Sequence, residues 1–222
     1  MKTVYRGELD LKEKILRLEQ TTVFFEYGQT EIDYLKKRDK KLGQAIDRIG
    51  PIRRKVMPDI FSALVNSIIS QQISGRAADT IWERFSSLLG EITPAAVAAA
   101  NLAAIQKCGM SLRKAAYIQG AAQAALDGSL DFTAFAALSD AEIIQKLSAL
   151  NGIGVWTAEM LLIFSLCRPD VLSWGDLAIR RGLMNLHNLK TLDQTTFEKF
   201  RKKYSPHGTV ASLYLWAVSV KQ

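Results

Sequence analysis

Apolar residues recur every three to four positions along most of the chain, and that spacing predicts helices. In "DLKEKILRLEQ" they fall at Leu11, Ile15 and Leu18; in "TEIDYLKKRDKKLGQAIDRIG" they fall at Ile32, Leu35, Leu42, Ala45 and Ile49. Between these two runs lies "TTVFFEYG", which is short, aromatic and β-branched and reads as extended chain. Pro51 and Pro58 punctuate the next stretch. Residues 59–69 are largely apolar, the pattern breaks at "SQQISG", and "RAADTIWERFSSLLG" then reads as a helix ending at Gly90. Thr93 can cap the following helix with Pro94 in its first position, Ser111 opens "SLRKAAYIQGAAQAALDG", and Ser139 with Glu142 forms a capping-box pattern. "TLDQTTFEKFRKKYS" and "GTVASLYLWAVSV" bring the expected total to about ten helices. No convincing sheet, low-complexity stretch or long linker interrupts them, so the expected fold is all-α.

One connection between helices stands out. "LNGIGVWTAEM" joins the expected helices Glu142–Leu150 and Val155–Cys167 and contains two glycines, Gly152 and Gly154, around Ile153. Glycine permits φ > 0 and clears side chains from a tight turn. Ile153 would anchor such a turn inward, leaving backbone N–H groups at the start of the second helix, where an anion such as a phosphate is favoured. A plain αα-hairpin whose glycines serve packing alone is the simpler alternative. Further on, Asp176 in "LSWGD" opens "LAIRRGLMNL" and is a good N-cap candidate.

Composition narrows the chemistry. The 29 Lys+Arg against 22 Asp+Glu give a net charge of +7, which favours a polyanionic partner, nucleic acid first. Cys108 and Cys167, expected to be buried thiols, are too few for an all-cysteine iron–sulfur cluster, and His187 and His207 make a zinc site unlikely. No side-chain metal site is expected. No segment approaches the ~18 apolar residues of a membrane span, and the charged start "MKTVYRGELDLKEK" lacks a signal-peptide core, so a cytosolic protein is expected.

Helix, hairpin, helix and then an aspartate resembles the helix-hairpin-helix/GPD superfamily of DNA base-excision glycosylases, most of all the bacterial 3-methyladenine-DNA glycosylase II type. "IISQQISGRAADTIWERF", "CGMSLRKAAYIQGAA" and "YSPHGTVASLYLW" are similar to further family segments, so the resemblance covers roughly residues 58–222. Asn151 and Ser173–Gly175 depart from the family's more proline-rich turn and loop. The resemblance implies a two-lobed helical fold with a cleft between lobes. One lobe would be residues 58–167, including the hairpin at 142–167; the other would be 1–57 with 168–222.

The resemblance also assigns roles. Asp176 would be the catalytic acid, stabilising a cationic sugar and orienting water. Trp156 stands where bifunctional members carry a nucleophilic lysine, which implies a monofunctional enzyme without lyase chemistry. Trp156 and Trp216 would stack a flipped, positively charged alkylpurine, and Met160 and Leu177 would replace tyrosines in that pocket; Tyr204, Phe24, Phe25 or Tyr27 could supply the missing rings. Gln72 would fill the gap left in the duplex, with Gln71 on the opposing strand. Gly152, Ile153, Gly154, Lys114 and Arg113 would meet backbone phosphates. A monovalent cation on hairpin carbonyls is the one cofactor the resemblance allows. The expected partner is damaged double-stranded DNA, bound by a monomer in the bacterial cytosol or nucleoid. A glycosylase for oxidised or mismatched bases, or a non-catalytic helix-hairpin-helix DNA-binding protein, are the alternatives.

Overall fold

The computed structural model describes residues 22–220, so the helix expected around Leu11, Ile15 and Leu18 lies outside the described residues. "TTVFFEYG" is extended where described: Phe24 and Lys55 form an antiparallel bridge, with Phe25 N donating to Arg54 O and Val56 N to Val23 O. The long amphipathic run after it is two helices, α1 (Gln29–Arg38) and α2 (Lys40–Ile49), because Asp39 interrupts it. The Asp39 carboxylate accepts the Lys41 and Leu42 N–H groups and caps α2. Its other oxygen accepts from Lys203 Nζ at 2.8 Å and Tyr204 Oη at 2.9 Å, with His187 Nε2 at 3.2 Å.

The apolar run from Asp59 is α3 (Ile60–Ser70), capped by Asp59 and buried on most sides. α4 (Gly75–Leu89) follows, capped by Ser74 and ended by Gly90 at φ +72°. Then come α5 (Pro94–Ala99), α6 (Leu102–Lys107) and α7 (Leu112–Leu126), and Thr93 and Ser111 make the expected cap bonds. A short 3-10 turn, Thr133–Ala137, leads to α8 (Asp140–Ser148), where Ser139 and Glu142 form a capping box. α9 (Val155–Phe164) stops short of the expected Cys167. Leu166 N and Arg168 N bond back to Leu161 O and Leu162 O, and Cys167 sits at φ +52°, a left-handed helix terminator. Its thiol is exposed, against expectation, because the chain turns outward there, while Cys108 is buried as expected.

The last elements are α10 (Leu177–His187), α11 (Gln194–Tyr204) and α12 (Gly208–Ser219). α10 lies almost backbone to backbone on α12: a Cβ on Gly182 would sit 2.2 Å from Leu215 O. Side chains pack into two hydrophobic cores. One draws on residues between Phe61 and Val171; the other combines Phe25–Ile46 with Leu172–Leu215. Trp216 packs against both and so marks their seam. The fold is all-helical and two-lobed, apart from the one isolated bridge among the described residues. No described helix is long and apolar enough to cross a membrane.

Candidate active site

The loop Leu172–Asp176 runs from the end of one lobe into α10, and Ser173, Gly175 and Asp176 meet α9. Ser173, fully buried, donates its hydroxyl to Glu159 Oε2. Trp174 sits edge-on to Phe197, with the Arg180 guanidinium 4.7 Å from its ring. Gly175 lies against Trp156, where an added Cβ would be 3.2 Å from Trp156 Cβ. Asp176 Oδ1 accepts the Ala178 and Ile179 N–H groups as the N-cap of α10, and Oδ2 accepts Trp156 Nε1–H at 3.0 Å. Buried anchors thus hold this loop where the family's more usual form has proline.

Asp176 is only 6% exposed, yet three donors do not fill its acceptor capacity; Oδ2 retains a lone pair. Trp156 gives its indole N–H to Asp176 and is itself 41% exposed, so part of its side chain is open beside the acid. Trp156, Met160 and Phe164 are spaced four apart and share one face of α9. Phe164 stacks on Trp216 at 5.5 Å and 27°, and the Arg54 guanidinium lies 4.7 Å from the Phe164 ring. Met160 is buried in that stripe, whereas Leu177, next to Asp176, is 66% exposed.

The hairpin has a less symmetric logic than its two glycines suggest. Gly152 adopts φ +82°, and a Cβ there would lie 2.1 Å from the Tyr117 ring, so both backbone and space require glycine. Gly154 has an ordinary φ of −95° and nothing within 4 Å of an added Cβ. Its glycine therefore leaves open space at the N-terminus of α9, while Ile153 between them is buried.

The turn after α3 is tied to this hairpin. Gln71, expected on an opposing DNA strand, donates Nε2 here to Gly152 O at 2.9 Å and to Thr157 Oγ1 at 3.4 Å. Lys114, expected at a phosphate, donates Nζ to Ile69 O at 2.7 Å and Gln71 O at 2.6 Å. It satisfies the otherwise open carbonyls at the end of α3. Gln72 then projects exposed in a left-handed conformation, φ +56°. Arg113, on α7 beside Lys114, is exposed. Of the hairpin carbonyls, Leu150 O and Gly152 O already accept bonds from Ile153 N and Gln71 Nε2, which leaves each one lone pair for a cation.

The rings expected to complete the pocket lie elsewhere. Tyr204 is fully buried in the second core, held by Asp39. Phe24, Phe25 and Tyr27 line a separate cavity of about 790 Å³ with Pro51 and Tyr214, which includes none of Asp176, Trp156, Met160 and Trp216. Sequence reading missed Glu159, Ser173, Phe164 and Arg54. Glu159 stands three residues past Trp156 and Phe164 eight, both helical spacings that carry neighbouring faces; Arg54 gave no signal. Burial raises the Glu159 carboxyl above the usual glutamate range and the Asp176 charge pushes the same way, against the Ser173 bond and Arg201. No group of three or more metal-ligating side chains occurs among the described residues.

Comparison with known proteins places this arrangement. A family profile described as "HhH-GPD superfamily base excision DNA repair protein" matches residues 65–206. DNA-3-methyladenine glycosylase 1 of Schizosaccharomyces pombe is 32% identical over 216 residues, 95% of this chain and 93% of that one. The crystal structure of a DNA-3-methyladenine glycosidase from Bacillus halodurans superimposes with a TM-score of 0.77 at 34% identity, over 89% of this chain and 92% of that one. The 3-methyladenine DNA glycosylase Mag1 of Schizosaccharomyces pombe, solved in complex with abasic DNA, gives 0.76 at 30% identity, over 87% and 100%.

Proposed function

The chain belongs to the HhH-GPD superfamily of base excision DNA repair proteins, and on that premise we propose that it is a monofunctional DNA glycosylase that excises alkylated purines of the 3-methyladenine type. The observation that carries the reading is the Trp156–Asp176 pair: a carboxylate with one free lone pair, beside a partly exposed indole, in the loop between two lobes. An alkylated purine is swung out of the duplex and stacks on Trp156. N3 or N7 alkylation makes that base cationic, and the electron-rich ring face attracts it by ~0.5–2 kcal/mol. As the base departs, positive charge grows on the deoxyribose. The Asp176 carboxylate stabilises it and orients water for attack at C1′. The base leaves with the glycosidic electron pair, and the proton released by water passes to Asp176.

Around this centre the remaining roles are positional. The Gly154 end of α9 holds a backbone phosphate. Gln72 fills the gap in the duplex, braced through Gln71 to the hairpin and through Lys114 to α3. The protein works as a monomer on damaged double-stranded DNA. The test is release of 3-methyladenine and 7-methylguanine from a methylated duplex, by the wild type and by Asp176→Asn. The wild type should leave abasic sites, and the variant should lose at least about a hundredfold in rate. Release that survives the substitution would remove Asp176 from the chemistry; no release by the wild type would overturn the assignment.

A further inference from the structure

We propose that Glu159 is the second carboxylate of this site: it pins the Asp176 loop through Ser173, and its charge selects positively charged bases and sugars over neutral ones. The inference deepens the glycosylase reading and rests on it. Three observations carry it. Trp156 and Glu159 lie three residues apart on α9 and hold the two ends of one short loop: Glu159 takes Ser173, and Trp156 takes Asp176. The Ser173 end is completely buried, so the tether is shielded from water. Ser173 Oγ and Trp156 Cδ1 lie equally near Gly175, each 3.7 Å from the position of an added Cβ, so Glu159 meets the loop beside the indole.

A single carboxylate suffices to stabilise a cationic sugar. A second one, nearby and half-buried, makes the local field more negative than the transition state of the sugar alone requires. That excess acts equally on a cationic base in the ground state, and water is too scarce to screen it fully. The charged and titratable groups facing Glu159 are Asp176 from the loop and Arg201 from α11, with the Ser173 hydroxyl as its donor. Arg201 offsets part of the charge. Because burial and Asp176 hold Glu159 protonated to higher pH than an ordinary glutamate, its negative charge is present above that raised range and lost as pH falls through it.

The experiment measures affinity for two duplexes that differ only at one abasic position, a pyrrolidine analogue whose amine is protonated and a neutral tetrahydrofuran analogue. The wild type should prefer the charged analogue, and the preference should shrink as pH is lowered from 8 to 4.5. Glu159→Gln keeps a hydrogen-bond acceptor for Ser173 and removes the charge. It should lower the preference about tenfold, hold tetrahydrofuran affinity within about twofold, and flatten the pH dependence. Ser173→Ala keeps the charge and cuts the tether; it should slow methylpurine release while keeping most of the preference. Equal weakening for both analogues in Glu159→Gln would reduce the residue to packing and overturn the proposal. So would a wild-type preference that stays flat across pH, a reading that stands even if the variant fails to fold. Failure of the glycosylase reading itself would appear separately, as a wild type that binds both analogues but releases no methylpurine.

Discussion

At the scale of single residues the site is a matter of which atoms are already engaged. Asp176 caps α10 with one oxygen and meets the Trp156 indole with the other. Asparagine in its place keeps the cap through its carbonyl, but its NH₂ then faces the indole N–H, donor against donor. Asp176→Asn should therefore keep the fold, with a melting temperature lowered by only a few degrees, while excision collapses; thermal melting and base-release assays read the two separately. The indole has no nucleophilic amine, so borohydride should trap no covalent complex with abasic DNA; a trapped adduct would assign the sugar attack to one of the lysines. Both residues were legible in the sequence through the resemblance of the hairpin and its following loop to the glycosylase family. Glu159 was not. A glutamate inside a helix is ordinarily a solvated charge, and only the folded loop shows that Ser173 covers it.

At the scale of elements, the hairpin separates into one glycine that the fold requires and one where the fold leaves open space. Gly152→Ala places a Cβ against the Tyr117 ring in a left-handed backbone, and should cost about 1–3 kcal/mol of stability, read by urea unfolding. Gly154→Ala has room and an ordinary φ, so it should stay folded. Its Cβ nevertheless occupies the approach to the α9 N-terminus. Affinity for undamaged and abasic duplexes should fall together by several-fold, and the salt dependence should lose about one phosphate's worth of slope. A folded Gly154→Ala with unchanged binding would mean that the α9 N-terminus holds no phosphate. Helix starts were legible because Thr93, Ser111, Ser139 and Asp176 carry their caps in their side chains. Partnerships across the chain were not: nothing in "SQQIS" or "LRKAA" says that Lys114 reaches the carbonyls of Ile69 and Gln71.

At the scale of the whole molecule, two cores share one chain, and the second closes on itself through Asp39, which joins α1–α2 to His187 and to Lys203 and Tyr204 of α11. Burial alone would raise the Asp39 pKa. Hydrogen bonds from His187, Lys203, Leu42 N and Tyr204 outweigh it and hold the carboxyl far below the usual range. A depressed folded-state pKa stabilises the protein above the unfolded value near ~4 and loses that contribution as pH drops towards the folded one. Asp39→Asn should cost about 2 kcal/mol at pH 7, and the gap from wild type should narrow in urea melts taken below about pH 4. A gap that is constant with pH would mean that the hydrogen bonds of the second oxygen to Lys203 and Tyr204, not the charge, are what matters. The helical class could be read from periodicity and the hairpin from its glycines, whereas the Asp39 break could not, because the apolar spacing runs straight through it. In that same lobe α10 rests at Gly182 on the backbone of α12. Asp176 precedes the first residue of α10, and Trp216 follows the α12 residue that Gly182 touches. That crossing is a caliper: the thickness of one missing methyl group sets how near the start of α10, with Asp176, stands to Trp216 at the seam of the two cores.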